Sequence, residues 1–312
     1  MALHLRIFRP QDAEPDTLVD LFRDRILPAR RGQWDPKTVA EYWATVNVWT
    51  EVMGNPAIEA VDDAALSLFV ERLAERPGRG GKISPNTVRK HLRHLRTLFR
   101  ELGPRRNGRG LGILSEIPWC PMPRPRRQPP TILTPEQLAR MERAADAFQP
   151  DGMTGPVPAA QWWRALLRLL WNTALRIGTA LALRWEWLDG DGWVMVPAEA
   201  FKGKRSGRRI YLNSALRGHL QALPHRTGPI LPWSGNILTL HRWRARVQQA
   251  AGVPADAKHG FHAIRRAALS TVARINPLAA RVVAGHSQGD VLLEYYLSDQ
   301  VIAAALEAMP QF

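Results

Sequence analysis

Five side chains, four of them close to the carboxyl end of the sequence, are of the types that phosphoryl transfer requires. These residues are Arg176, His262, Arg265, His286 and Tyr295. A tyrosine hydroxyl can form a covalent ester with phosphate, arginines can hold the non-bridging oxygens, and imidazoles can move or share protons. Together these residue types could cleave a phosphodiester bond without a metal ion.

The composition of the chain points to a polyanionic partner. The 312 residues are enough for two ordinary domains with separate cores, and the formal net charge is +15. Such an excess of cations attracts polyanions, and phosphate contacts dominate the affinity of proteins for nucleic acids. We therefore expect double-stranded DNA as the partner.

Several other classes of protein are disfavoured. A basic membrane-surface protein is the alternative, but there is no long uncharged apolar run, and His4, Arg6 and Arg9 interrupt the segment where a signal peptide would lie. Cys120 is the only cysteine, which excludes an intrachain disulfide and leaves the histidines without a recognisable zinc spacing. We predict a cytoplasmic, DNA-associated protein with no membrane segment, metal or cofactor.

The first part of the chain reads as a group of amphipathic helices. Asp35-Pro36 begins one helix, and Gly54 ends it. A second helix is predicted around 62–76, before the glycine-rich run 77–81, where we expect a flexible hairpin tip.

A third helix, beginning at Ser84-Pro85, carries an apolar stripe and a basic stripe side by side. The apolar stripe consists of Val88, Leu92, Leu95 and Phe99, and the basic stripe of Arg89, Arg93, Arg96 and Arg100. Because one residue turns a helix by about 100°, these arginines border the buried face and can contact DNA while the helix stays docked. A solvated basic face is the alternative. Four arginines in register, with no acidic residue among them, favour a phosphate-contacting helix.

The rest of the chain divides into a basic connection and a second domain. Residues 103–130 are rich in proline, glycine and arginine, which indicates an interdomain linker that would let two units close around a duplex, although disorder alone is the alternative. A capping box at Thr134-Pro135-Glu136-Gln137 begins the next helix. Strand-like runs at 193–197 and 209–212 predict a hairpin. The expected fold is mainly helical, with a small antiparallel sheet.

These motifs resemble those of the tyrosine recombinase (phage integrase) family. His262 and Arg265 match its His-x-x-Arg pattern, Ala284-Gly285-His286-Ser287 is similar to its Leu-Gly-His-Ser pattern, and 181–185 match its Leu-x-Leu-Arg-Trp pattern after Arg176. The resemblance covers nearly the whole chain. Residues 1–14 are then a short lead, with little room for a separate arm-binding domain, 15–102 a helical, SAM-like core-binding domain, 103–130 the linker, and 131–312 the catalytic domain.

The resemblance implies a role for each site residue. Tyr295 would attack the scissile phosphate to give a 3′-phosphotyrosine and a free 5′ hydroxyl, without ATP or a metal. The interval from His286 selects Tyr295, and the adjacent Tyr296 is the alternative nucleophile. Lys202 resembles the family's β-hairpin lysine, the general acid for the departing oxygen. Lys204 competes for that role and otherwise is expected to bind DNA.

The remaining site residues would hold the phosphate. Arg176 and Arg265 would neutralise the charge that grows on the phosphorane, and His286 would hydrogen-bond the scissile phosphate. His262 would project toward the same phosphate as Arg265, since the two lie three residues apart on one helix. Arg266, adjacent to Arg265, points in a different direction on the helix.

One departure from the family pattern bears on activity. Thr179 stands where the family usually has an acidic residue, which removes a side chain expected to orient the site. This keeps a catalytically degenerate DNA-binding protein open as an alternative, and a type IB topoisomerase-like enzyme is another.

The resemblance also implies a homo-tetramer on two DNA sites. The C-terminal segment 301–309 has an apolar face made of Ile302, Ala305, Leu306 and Met309. This face either packs into its own domain or, as the family suggests, docks onto a neighbouring protomer.

Overall fold

The chain folds into two compact units, Met1–Gln128 and Pro129–Phe312. The computed structural model describes residues 16–78, 81–106, 110–125, 129–148, 150, 153, 155, 157–201, 206–285 and 299–312. Within these residues, no helix is long and apolar enough to cross a membrane.

The first unit is a small helical bundle. Its first helix, α1, runs through Leu18–Leu21, Phe22–Ile26 and Leu27–Ala29, and it is followed by α2 (Pro36–Met53), α3 (Asp63–Glu75) and α4 (Pro85–Leu102). A two-residue ladder pairs β1 (Pro77–Gly78) with β2 (Gly81–Lys82) between α3 and α4. The apolar face of α4 is buried in this unit, as its stripe predicted.

The two long helices of this unit that begin with a proline start where their caps predict. Asp35 accepts a hydrogen bond from the Thr38 amide at 2.8 Å, and Ser84 accepts one from the Thr87 amide at 3.2 Å. Each cap is followed by proline in the first turn, whose missing N–H costs nothing there. The positive φ of Gly54, 74°, ends α2.

The described residues that directly follow α4 belong to the first unit and contribute to its core. The amides of Ile113 and Leu114 both donate to the Leu102 carbonyl at 2.9 Å, and the side chains of Leu114 and Cys120 are buried in the core of this unit. Part of the segment interpreted as a linker is therefore fixed to the end of α4.

The second unit is built around one buried helix. Its helices are α5 (Pro135–Ala145), α6 (Ala159–Thr173), α7 (Ile177–Ala182), α8 (Ser214–Gln221), α9 (Ile237–Ala250), α10 (Phe261–Ile275), α11 (Pro277–Ala284) and α12 (Asp299–Glu307). Helix α6 buries Trp162, Trp163 and Trp171, and α5, α8 and α10 pack around it.

The predicted hairpin is present in the second unit. Strands β3 (Trp193–Val196) and β4 (Arg208–Tyr211) are antiparallel, with Trp193 opposite Tyr211 and Val196 opposite Arg208. Side chains alternate between the two faces of a strand, so Arg208 and Ile210 share one face and Arg209 lies on the other.

The C-terminal helix packs into its own unit. Ile302, Ala305, Leu306 and Met309 are buried in the core of the second unit, which favours the first of the two interpretations of this segment. The Asn213 side chain donates to the Leu306 carbonyl at 2.9 Å.

Candidate functional site

Three of the six predicted catalytic residues lie in the described part of the chain, and they come together. These three are Arg176, His262 and Arg265. The others, Lys202, His286 and Tyr295, lie outside the described residues, as do the alternatives Lys204 and Tyr296.

Arg265 joins three helices. Its side chain, only 6% exposed on α10, donates from Nη1 to the carbonyl of Ala174 and from Nη2 to the carbonyl of Ala284 at 2.8 Å. Ala174 ends α6 and Ala284 ends α11. The planar guanidinium fork therefore fixes the ends of two helices relative to α10.

Backbone conformation supports this contact on the α6 side. Ala174 has a φ of 50°, in the left-handed region that costs a non-glycine residue about 1.5 kcal/mol. Because α6 ends here, the Ala174 carbonyl has no hydrogen-bond donor within the helix, and it accepts from Arg265 instead.

Arg176 and His262 are exposed beside this buried arginine. Arg176 is the N-cap residue of α7, and His262 lies one turn before Arg265 on α10. Partial burial, followed by the charges of Arg266, Arg265 and Arg176, lowers the pKa of His262. Neutral imidazole is thus favoured at neutral pH, a form that can accept a proton.

A further arginine belongs to the same cluster and was missed by sequence reasoning. Arg208, on β4, donates from Nη2 to the carbonyl of Val282 at 2.7 Å, and its Cζ lies 5.3 Å from the ring centroid of Phe201. Burial and the neighbouring charge of Arg176 lower its pKa. Its position in the strand was the available signal, because Arg208 shares a face with the buried Ile210.

The three arginines lie close enough to affect one another. Burial and then the charges of Arg176 and Arg208 lower the pKa of Arg265 to about 10, which leaves it protonated at neutral pH. Among the residues that the structure describes, no carboxylate forms an ion pair with any of the three. An uncompensated group of guanidinium ions is suited to an anionic ligand such as a phosphate.

Gly285 is required by this arrangement for two reasons. Its φ of 73° lies in the left-handed region. A Cβ atom at this position would lie 1.9 Å from Nη1 of Arg208, so no side chain fits while the arginine stays in place. The glycine of the Gly-His motif thus admits the Arg208 guanidinium.

Two neighbours of the predicted site have other partners. Arg266 donates from Nη1 to the carbonyl of Thr131 at 3.0 Å, whereas Arg265 faces the cluster. Thr179 is buried and donates from Oγ1 to the carbonyl of Ala200 at 2.9 Å, next to the connection between β3 and β4.

The four arginines of α4 fall into two pairs. Arg89 donates to the carbonyl of Pro123 and Arg96 to that of Cys120, whereas Arg93 and Arg100 are exposed. The helix therefore has the predicted apolar and basic faces. Two of its four arginines, Arg89 and Arg96, also hold the segment that follows α4 through hydrogen bonds to its carbonyls.

The described residues contain no group of three or more His, Cys, Asp or Glu side chains placed to hold a metal ion.

Solved integrase structures are similar to this chain over most of its length. A lambda integrase dimer bound to a COC′ core site is 17% identical, with 90% of this chain and 94% of that chain covered and a TM-score of 0.61. The Tn1549 transposon integrase in complex with transposon right end DNA is 17% identical, with coverages of 93% and 98% and a TM-score of 0.64. The chain has the integrase fold.

The same likeness extends to an assembled integrase. A lambda integrase tetramer bound to a Holliday junction is 17% identical, with 92% of this chain and 79% of that chain covered and a TM-score of 0.64. No family model matches the sequence, and no curated protein does. The predicted fold class and the resemblance to tyrosine recombinases are thus confirmed at the level of the fold.

Proposed function

We propose that this chain is a site-specific DNA recombinase that cleaves and rejoins DNA through a phosphotyrosine. The observation that carries the proposal is the convergence of Arg176, Arg265 and His262 in an integrase fold. Among the described residues, no carboxylate is paired with these arginines. Neutral carbonyl acceptors hold the buried Arg265, so its charge remains available for the non-bridging oxygens of a phosphate.

The chemistry follows from these groups and from the residues assigned by resemblance. The Tyr295 oxygen attacks the phosphorus and the bond to the 5′ oxygen breaks, leaving a 3′-phosphotyrosine and a 5′ hydroxyl that takes a proton from Lys202. His262 accepts the tyrosine proton, directly or through water, in keeping with its lowered pKa. A 5′ hydroxyl from a partner strand reverses the steps, so the energy of the broken bond is conserved in the ester.

The DNA partner follows from charge and from the likeness to DNA-bound integrases. We assign phosphate contacts to α4 and to Lys204, and within α4 foremost to Arg93 and Arg100, which are exposed. A homo-tetramer on two DNA sites is the assembly we propose, because a lambda integrase of this fold forms a tetramer on a Holliday junction.

A suicide substrate tests the chemistry. A half-site is first selected from a random duplex library, then nicked so that the released 5′ fragment diffuses away and the covalent adduct accumulates. We expect wild type to form the adduct, Tyr295→Phe to form none, and the matched control Tyr296→Phe to retain it. An adduct formed by Tyr295→Phe but not by Tyr296→Phe would move the nucleophile by one residue.

The same preparation separates the alternatives. Wild type that binds the half-site but forms no adduct indicates a degenerate DNA-binding protein, the interpretation that Thr179 keeps open. Relaxation of supercoiled plasmid without any recombinant product indicates a type IB topoisomerase-like enzyme.

A further inference from the structure

Trp119 is exposed in a way that no other tryptophan of this chain is. Trp119 is 59% exposed, whereas every other tryptophan is buried or half-buried. Ile117, two residues earlier, is 42% exposed. We call the segment 117–123 of the first unit the strap, and these two exposed apolar side chains its ridge.

The backbone beneath this ridge is firmly held. The Trp119 amide donates to Asp63 Oδ1 at 2.6 Å, Arg96 donates to the carbonyl of Cys120, and Arg89 donates to that of Pro123. Cys120 itself is buried. The strap is thus fastened to α3 and α4, and its exposed ring would lose little conformational entropy on binding a partner.

Three arginines lie near the two ridge side chains, and Asp63 is an acidic neighbour at the Trp119 amide. The Arg96 Cζ lies 5.7 Å from the centre of the Trp119 ring, in cation–π range. Arg100 and Arg106 line an open basin together with Ile117. The acidic residue of this basin, Glu101, is paired with Arg30 at 2.5 Å, so it does not cancel these charges.

We propose that the strap is a contact surface for duplex DNA, in which Trp119 packs on a sugar or an exposed base edge while Arg93 and Arg100 bind flanking phosphates. Charge complementarity favours DNA over a second copy of this chain, which also carries a net charge of +15. This inference rests on the proposed function and extends it to a named apolar contact.

The basic stripe of α4 then has two functions. Arg89 and Arg96 position the strap through carbonyl contacts, whereas Arg93 and Arg100 meet the phosphates directly. Salt dependence separates an apolar contact from an ionic one. Losing one phosphate contact lowers the slope of log affinity against log salt by about 0.9, whereas losing an apolar contact leaves the slope unchanged.

Binding of the full chain to a labelled random-sequence duplex, measured by anisotropy over a series of salt concentrations, tests this. We expect Trp119→Ala to bind about tenfold more weakly with an unchanged salt slope, because the apolar surface that the aromatic ring buries against the duplex is lost. Arg93→Ala should lower both the affinity and the slope. The control Leu68→Ala, which truncates an exposed apolar side chain of α3, should bind like wild type.

Equal binding by wild type and Trp119→Ala would overturn the inference and leave the proposed function intact, as would a fall in salt slope for Trp119→Ala. Trp119-dependent sedimentation with phosphatidylserine vesicles and not with DNA would reassign the ridge to a membrane surface. A wild type that does not bind any duplex would refute the proposed function itself. Unchanged thermal unfolding of Trp119→Ala shows that its effect is not misfolding.

Discussion

Gly285→Ala should destabilise the second unit through Arg208 as well as through its own backbone. The substitution places a methyl group where the structure has a guanidinium, 1.9 Å from Nη1 and 2.9 Å from Cζ of Arg208. Because the carbon atom cannot occupy that space, Arg208 must move away. Its hydrogen bond to the Val282 carbonyl at 2.7 Å is then lost.

Two effects determine how much the free energy of unfolding falls. A left-handed conformation costs alanine about 1.5 kcal/mol more than glycine. The lost bond from a charged donor costs about 1.5 kcal/mol, at the low end of its range because burial beside Arg176 already disfavours the charge of Arg208. Gly285→Ala should therefore cost about 3 kcal/mol, and Arg208→Ala alone about 1.5 kcal/mol.

A double-mutant cycle distinguishes this account from two independent effects. Once Arg208 is gone, the new methyl group displaces nothing, so the double variant should lose about 3 kcal/mol rather than the sum of about 4.5 kcal/mol. Native-state hydrogen exchange of peptides from α10 and α11 measures the local opening free energy without requiring both units to unfold together. Additive losses would refute the contact between Arg208 and Gly285.

Three other perturbations give distinct expected results. Burial lowers the pKa of His91 to about 4, below that of the unfolded chain, so the unfolded chain takes up this proton first as the pH falls. We expect His91 to lower the free energy of unfolding by about 2 kcal/mol between pH 7 and pH 5 in urea titrations. The substitution His91→Gln should remove this part of the fall and leave the contribution of His94, whose pKa is also lowered by burial. Deleting residues 300–312 removes buried Leu306 from the core, so we expect the second unit to lose its folded structure and not only its ability to assemble. Thermal melting should then show no cooperative transition for this unit. Arg265→Lys cannot bridge both of its carbonyl partners and should lower the yield of the covalent adduct by at least about 100-fold, whereas Arg266→Lys should retain most of it.

The helix beginnings could be predicted because they depend on neighbours in sequence. The cap at Thr134 accepts from the Gln137 amide at 3.2 Å, and Gln137 returns a bond to the Thr134 amide at 2.8 Å. Both partners lie within four residues, so the pattern is visible without knowledge of the fold. The same holds for the alternation that predicted β3 and β4.

Tertiary contacts explain what the sequence did not reveal. Arg208 enters the cluster because β4 approaches the end of α11, and its carbonyl partner Val282 is 74 residues away in the chain. No spacing rule connects such positions. Likewise, the proline- and arginine-rich composition of 103–130 does not predict that Leu114 and Cys120 enter the core of the first unit, because that depends on the space left beside α4.

The partners of the clustered arginines suggest how the site can function with Thr179 in place of an acidic residue. A carboxylate would orient a guanidinium but would also neutralise it. A carbonyl at a helix end carries a partial negative charge and no net charge. It therefore orients the arginine, whose full positive charge remains available for phosphate. Arg265 and Arg208 both use such carbonyls, and Thr179 holds Ala200 through an equally neutral bond. We therefore propose that neutral acceptors organise the described part of the site and leave its cations free to bind phosphate without the usual acidic residue.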